Sequence, residues 1–248
     1  SMNERATETY AGAYEPFEEQ SLDGGLVFLP TPYGDWLNHP FQPLRNDPGF
    51  DGETVYAMDE RPFAVVDAYP DRSLYRYALR GGWEPYSGSP RGSRIQRVDH
   101  AASESVTMNA TVGLPSTYRS VSATLTADEE SVTVGARNAT DSATARIRFA
   151  DDGVRLVGPG WRSHEPIPYD DREDVSLTLF VDSGPGASFS YRFETPVRRD
   201  DGRVRALTPR IERCVAIGEC GGDAGYVPDL APDWATVRTD LTTGEGNG

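Results

Sequence analysis

The sequence predicts a mainly β, α+β fold: a β-sandwich of antiparallel strands preceded by a small α/β layer. Three observations predict it. Glycine (25) and proline (19) are abundant, which favours many turns over long helices. From about residue 91 onward, apolar and polar residues alternate in segment after segment, the mark of strands with one buried face. Before that point, short apolar runs are separated by connections long enough for a parallel crossover.

Taken in order, residues 1–23 are polar and acidic and read as a linker with room for one short helix. "GLVFLP" (25–30) has the content of a buried strand closed by proline. In "DWLNHPFQPLRN" a helical turn or two is expected with Asp35 as N-cap, kept short by Pro40 and Pro43. "ETVYAMD" (53–59), "FAVVDAYP" (63–70) and "SLYRYAL" (73–79) all read as strands. Residues 24–90 thus form the small α/β region, and 91–210 the sandwich. In "SATARIRFADDGVRLVG", Ala143, Ala145, Ile147 and Phe149 share one side, with Arg146 and Arg148 on the other. "ADDG" (150–153) and "DDG" (200–202) read as hairpin turns with glycine at the left-handed position. Residues 211–248 show little pattern and are expected to wrap over the core and end in a flexible tail. The opening "SM" reads as a cloning remnant, and the chain as a soluble piece of a longer protein whose signal or anchor lies elsewhere.

Charge narrows the partners. All 24 basic residues are arginine, against 39 acidic ones, a net charge of -15. There is no basic stripe to neutralise phosphates, so nucleic acid is not an expected partner. An acidic surface without lysine matches the composition of proteins from very salty environments, where the Debye length of about 3 Å at molar salt screens self-repulsion. A GC-rich genome would favour arginine codons as well.

Motifs with chemistry are scarce. No G-x-S-x-G elbow, P-loop, H-E-x-x-H or dinucleotide signature is present. A three-histidine zinc site would need His39, His100 and His164 to converge. The acidic runs at 151–152, 170–174 and 200–201 lack the spaced ligands of a calcium loop and read as solvated faces. No catalytic residue, metal or cofactor is therefore assigned.

The densest stretch is "FLPTPYGDWLNHPFQPLRNDPGFDG", which begins at Phe28. One reading makes it a sugar platform: Tyr33, Trp36 and His39 stack on a ring face while Asp35, Arg45 and Asp47 bind hydroxyls. The competing reading has Trp36, Phe41 and Leu44 plugging the core and Asp35 and Asp47 capping turns. Trp83 and Trp161 lie in two further Pro/Gly-rich loops that would extend such a rim if they clustered with the first. Cys214 and Cys220, in "CVAIGEC", are close enough for a small disulfide ring. "NAT" at Asn109 and at Asn138 gives two candidate N-glycosylation sites.

The strings "LVFLPTPYGDWLNHPFQPLRNDPGFDGETVYAMD" (26–59) and "FAVVDAYPDRSLYRYALRGGWEPY" (63–86) carry a resemblance. Over roughly residues 14–86 the chain resembles the C-terminal extracytoplasmic domain of haloarchaeal membrane glycosyltransferases of the dolichyl-phosphate-mannose mannosyltransferase-like class. The resemblance implies a non-catalytic accessory domain, tethered at the cell surface to the membrane-embedded portion of the same polypeptide. A glycan or glycoprotein acceptor would be its ligand. The catalytic base of such enzymes lies in a loop between early membrane helices, so no catalytic residue carries over. Two other readings stand beside it. One is a stand-alone cell-surface carbohydrate-binding or adhesion sandwich. The other is a carboxylate-dependent hydrolase, which would need two carboxylates about 5 to 9.5 Å apart across a cleft.

Overall fold

Pro16 organises the start of the chain. A proline inside a helix removes the hydrogen bond to the carbonyl four residues earlier and pushes that carbonyl outward. In the computed structural model, which describes residues 2–30, 44–81, 92–137, 139–170, 172–215, 220–221 and 224–244, helix α1 (Met2–Glu19) contains Pro16. The displaced Gly12 carbonyl accepts the Ser93 hydroxyl at 2.5 Å, and the Ala13 carbonyl accepts the Tyr77 hydroxyl at 2.9 Å. Phe17 stacks on Tyr77, ring centroids 5.5 Å apart. The segment expected to be a linker is thus a packed helix. Its acidic, proline-containing sequence concealed this because only Ala13 and Pro16 are buried over its last turns.

The chain divides into two compact units, Ser1–Val98 with Gly221–Leu230, and Asp99–Cys220 with Ala231–Gly248. In the first, strands β1 (Gly25–Leu29), β2 (Thr54–Met58), β3 (Ser73–Arg80) and β4 (Gly92–Val98) form a mixed sheet in the order β2-β1-β3-β4. β1 runs parallel to both neighbours, and β4 is antiparallel to β3. β1 is buried along its whole length, as a central parallel strand must be. "FAVVDAYP", expected as a strand, contains helix α2 (Pro62–Ala68) instead. Pro62 in the first turn supplies a helical φ, and only Phe63 and Val66, three apart, are buried. That spacing outweighs the β-branched composition. Gly221–Leu230 returns to this unit, where Ala224 bridges Arg80 and the Gly225 amide donates to the Leu79 carbonyl at 3.1 Å.

The second unit consists of two antiparallel sheets. Its strands are β5 (His100–Ser103), β6 (Ser105–Gly113), β7 (Ser120–Ala127), β8 (Glu130–Gly135), β9 (Ser142–Ala150), β10 (Gly153–Val157), β11 (Arg172–Asp182), β12 (Phe189–Asp200), β13 (Arg203–Leu207), β14 (Arg210–Cys214) and β15 (Val237–Gly244). One sheet has the order β10-β9-β6-β15. The other runs β5-β13-β12-β11-β7-β8, with β14 also pairing β12. β12 is long enough to pair β14 through Ser190–Glu194 and β13 through Val197–Asp200 on one flank. The inner faces meet where β13 lies against β6 and β9, and where β7 lies against β10. The expected alternation in β9 is observed: Ala143, Ala145, Ile147 and Phe149 are buried. At the β12–β13 turn, Asp201 (φ 48°) and Gly202 (φ 75°) are both left-handed, the two-residue turn that matches strand twist. Gly113 is constrained by space, since a Cβ there would lie 1.7 Å from the Trp234 carbonyl oxygen. The segment expected to wrap over the core without pattern holds β15, which pairs β6 from Val237 to Gly244. As a half-exposed edge strand it carries too little apolar residue to announce itself.

Candidate functional site

In open sheets with parallel strands, ligands favour the crevice beyond the strands' carboxyl ends. Here those ends are Leu29 of β1 and Met58 of β2, and the dense stretch departs from the first of them. Of the sugar-platform candidates, Tyr33, Asp35, Trp36 and His39 lie outside the described residues, as does Trp83. Arg45 and Asp47 are described, and both are exposed.

Their surroundings are built by Asn46 and Asp47. β2 is an edge strand, and Asn46 serves as its missing neighbour. The Asn46 amide donates to the Tyr56 carbonyl at 2.8 Å, and its side-chain oxygen accepts the Tyr56 amide at 2.8 Å. Asp47 then closes the loop. Its carbonyl accepts the Phe50 amide at 3.0 Å and its carboxylate accepts the Gly52 amide at 2.9 Å. A hydrogen bond shared with Asp51, and then the Gly52 amide, hold the Asp47 carboxyl below its ordinary value. Phe50 takes a left-handed φ of 55° and stands 53% exposed. The Asn46→Ala variant removes two backbone-mimicking hydrogen bonds at a partly exposed edge. A loss of about 1–2 kcal/mol is expected in a urea melt.

Just past β2, Asp59 meets Arg76 of β3 at 2.9 Å, with the side chains 5% and 3% exposed. The Asp59 amide also donates to the Leu29 carbonyl at 2.9 Å. β2 and β3 flank β1 at two strand spacings, roughly 9–10 Å. The arginine therefore reaches over the central strand to tie the middle of β3 to the carboxyl end of β2. This pair was not anticipated from sequence. Its one signal is Arg76 itself, which sits where "SLYRYAL" fails to alternate.

The remaining candidates belong to the second unit. Trp161 is 5% exposed and its indole donates to the Thr144 carbonyl at 2.9 Å, so it serves that unit's core. His164 Nε2 accepts the Leu156 amide at 3.1 Å, which leaves Nδ1 to donate to the Glu165 carbonyl at 2.7 Å. His100 Nε2 accepts Arg205 Nε at 3.1 Å. Asn109 lies on inner strand β6, where its amide donates to Asp240 at 3.1 Å and Thr242 at 3.3 Å. Asn138 lies outside the described residues.

Cys214 and Cys220 are disulfide-bonded, with Cα atoms 5.1 Å apart. The Glu212 carboxylate lies beside them, and the ligand atoms of all three residues fall within 4.8 Å of one another. The disulfide occupies both sulfurs. Burial pushes the Glu212 carboxyl up, against the pull of Arg192, whose guanidinium it meets at 2.6 Å. Replacing both cysteines by serine frees a small ring and should cost about 2 kcal/mol by the loop-entropy relation. The check is chemical denaturation of the double variant beside the wild type. Alkylation without reductant should leave the intact mass unchanged.

A family model described as a domain of unknown function (DUF7846) matches residues 25–195, more than half of the chain. No curated protein matches. No solved structure matches.

Proposed function

The chain belongs to the DUF7846 family, and we propose that it works as a non-catalytic extracytoplasmic accessory domain of a membrane-bound lipid-linked-sugar glycosyltransferase from a halophilic archaeon. The observation that carries this reading is the resemblance of residues 26–59 and 63–86 to the extracytoplasmic domain of those enzymes. Two features support it. The Cys214–Cys220 disulfide suits an oxidising compartment. The net charge of -15 without lysine suits molar salt. The rim at the carboxyl ends of β1 and β2 would be the acceptor-facing surface, with Arg45 and Asp47 at its described margin.

The gene upstream of these residues is the direct test. Several membrane spans leading into the domain support the accessory role. A lone signal peptide or single anchor would overturn it in favour of a stand-alone surface carbohydrate-binding module. A glycan-binding isotherm on Trp36→Ala, read beside its urea melt, locates the ligand contact. Lost binding with unchanged stability places the sugar on the dense stretch, whereas lost stability gives Trp36 a packing role.

A further inference from the structure

We propose that β8 is a self-association edge, through which two copies of this chain join antiparallel about a two-fold axis. The backbone directions come from the ladder itself. The Ala136 amide donates to the Val121 carbonyl of the β7 flank, and the next amide, Arg137, donates the other way to the Gly160 carbonyl. Antiparallel ladders alternate inward and outward groups. In the register of β8 with β7, this turns the amides and carbonyls of Ser131, Thr133 and Gly135 away from β7. Among the described residues no strand pairs that side of β8. The sheet begins a next strand at Ala136, which bridges Trp161, and then abandons it. What remains is an open groove of about 700 Å³ lined by Thr133–Arg137, Arg162 and Ser163.

The charges select the occupant. In a chain of net charge -15, this groove carries Arg137 and Arg162 and no carboxylate. The other end of the same strand is acidic, with Glu129 and Glu130 exposed. A strand basic at one end and acidic at the other is complementary to itself when turned antiparallel, and a two-fold contact repeats each pairing twice. Gly160 limits the register, because it already holds the Arg137 amide. The Ala136–Trp161 bridge also seats Arg162 opposite Gly135, so the second copy pairs short of it, with Ser131 opposite its own Ser131 and the outward groups still matched. This sets Glu129 of the second copy opposite Thr133, next along the groove to Arg162. β8 has no proline, bulge or lysine to blunt such pairing. Two six-residue strands bury less than the roughly 1,200 Å² of a stable interface, so the dimer is weak and concentration-dependent.

Sedimentation equilibrium of the full chain in molar NaCl tests this, with circular dichroism as the check of folding. The wild type should pass from monomer to dimer as concentration rises. Thr133→Pro removes an outward amide that bonds nothing in β7, and it should abolish the dimer. Glu129→Arg and Arg162→Glu should each weaken the dimer about two- to tenfold, counting two copies of the contact. The double reversal in one chain should restore it. A wild type that stays monomeric throughout overturns the proposal. So does a dimer indifferent to Thr133→Pro, or a double reversal no tighter than its singles.

Discussion

Asp59→Ala should destabilise the protein by about 3–5 kcal/mol, the cost of breaking a buried ion pair by removing one member. Both side chains are almost wholly buried, so water cannot take the place of the missing carboxylate beside Arg76. The position magnifies the effect. Asp59 also anchors the end of β2 to the Leu29 carbonyl, at the point where the dense stretch leaves the sheet. The double variant Asp59→Leu, Arg76→Met separates charge from packing. It removes both desolvation penalties and should recover most of the loss, because apolar replacements of buried pairs are often close to neutral. Urea melts of the two singles and the double, all in molar salt, give the coupling. A single-variant cost below about 1 kcal/mol would mean that the pair behaves like a surface salt bridge, and the clamp over β1 would have to be abandoned. If the rim is where an acceptor docks, the double variant should fold and yet bind less well, since the clamp holds the carboxyl end of β2.

What the sequence disclosed follows from which interactions are local. The alternation of Ala143, Ala145, Ile147 and Phe149 is a period-two signal within one strand, and it placed β9 and its buried face correctly. The turn at Asp201–Gly202 was legible because its chemistry lies in the two turn residues. α2 was misread because Val65 and Val66 weigh toward strand, while the deciding fact, burial of Phe63 and Val66 by the unit's core, is tertiary. α1 was hidden by Pro16, which frees the Gly12 carbonyl to accept from Ser93, 81 residues beyond Gly12. The rim was harder still. Asn46 reaches Tyr56 across ten residues, and Asp59 reaches Arg76 across seventeen, between strands that are not neighbours. No period or motif encodes a contact between β2 and β3 that passes over β1. Only the misplaced arginine in "SLYRYAL" hinted at it.

Dilution of salt should unfold this protein. With 39 acidic residues against 24 arginines, negative charges outnumber positive ones by fifteen. Protonation gives no relief near neutral pH. Asp47 is held below the ordinary carboxyl range by Asp51 and the Gly52 amide, and Asp182 by the Gly184 amide and Ser188. At molar salt the Debye length of about 3 Å confines each charge to its immediate neighbours, whereas at about 0.01 M it reaches about 30 Å. The repulsion then acts across whole sheets and destabilises the compact state. The expected result is a folded circular dichroism signal in molar NaCl that is lost at tens of millimolar, with the melting temperature rising steadily between. Sucrose at matched osmolality separates the causes, since it strengthens burial without screening charge. It should rescue much less than NaCl does. Asp151, Asp152 and Asp201 are exposed turn residues, and asparagine tolerates the left-handed conformation that Asp201 adopts. Changing all three to asparagine should shift the salt midpoint downward with the fold intact. A melting temperature that does not move with NaCl would show that hydrophobic packing alone carries the stability, and would remove the charge-based support for a halophilic origin.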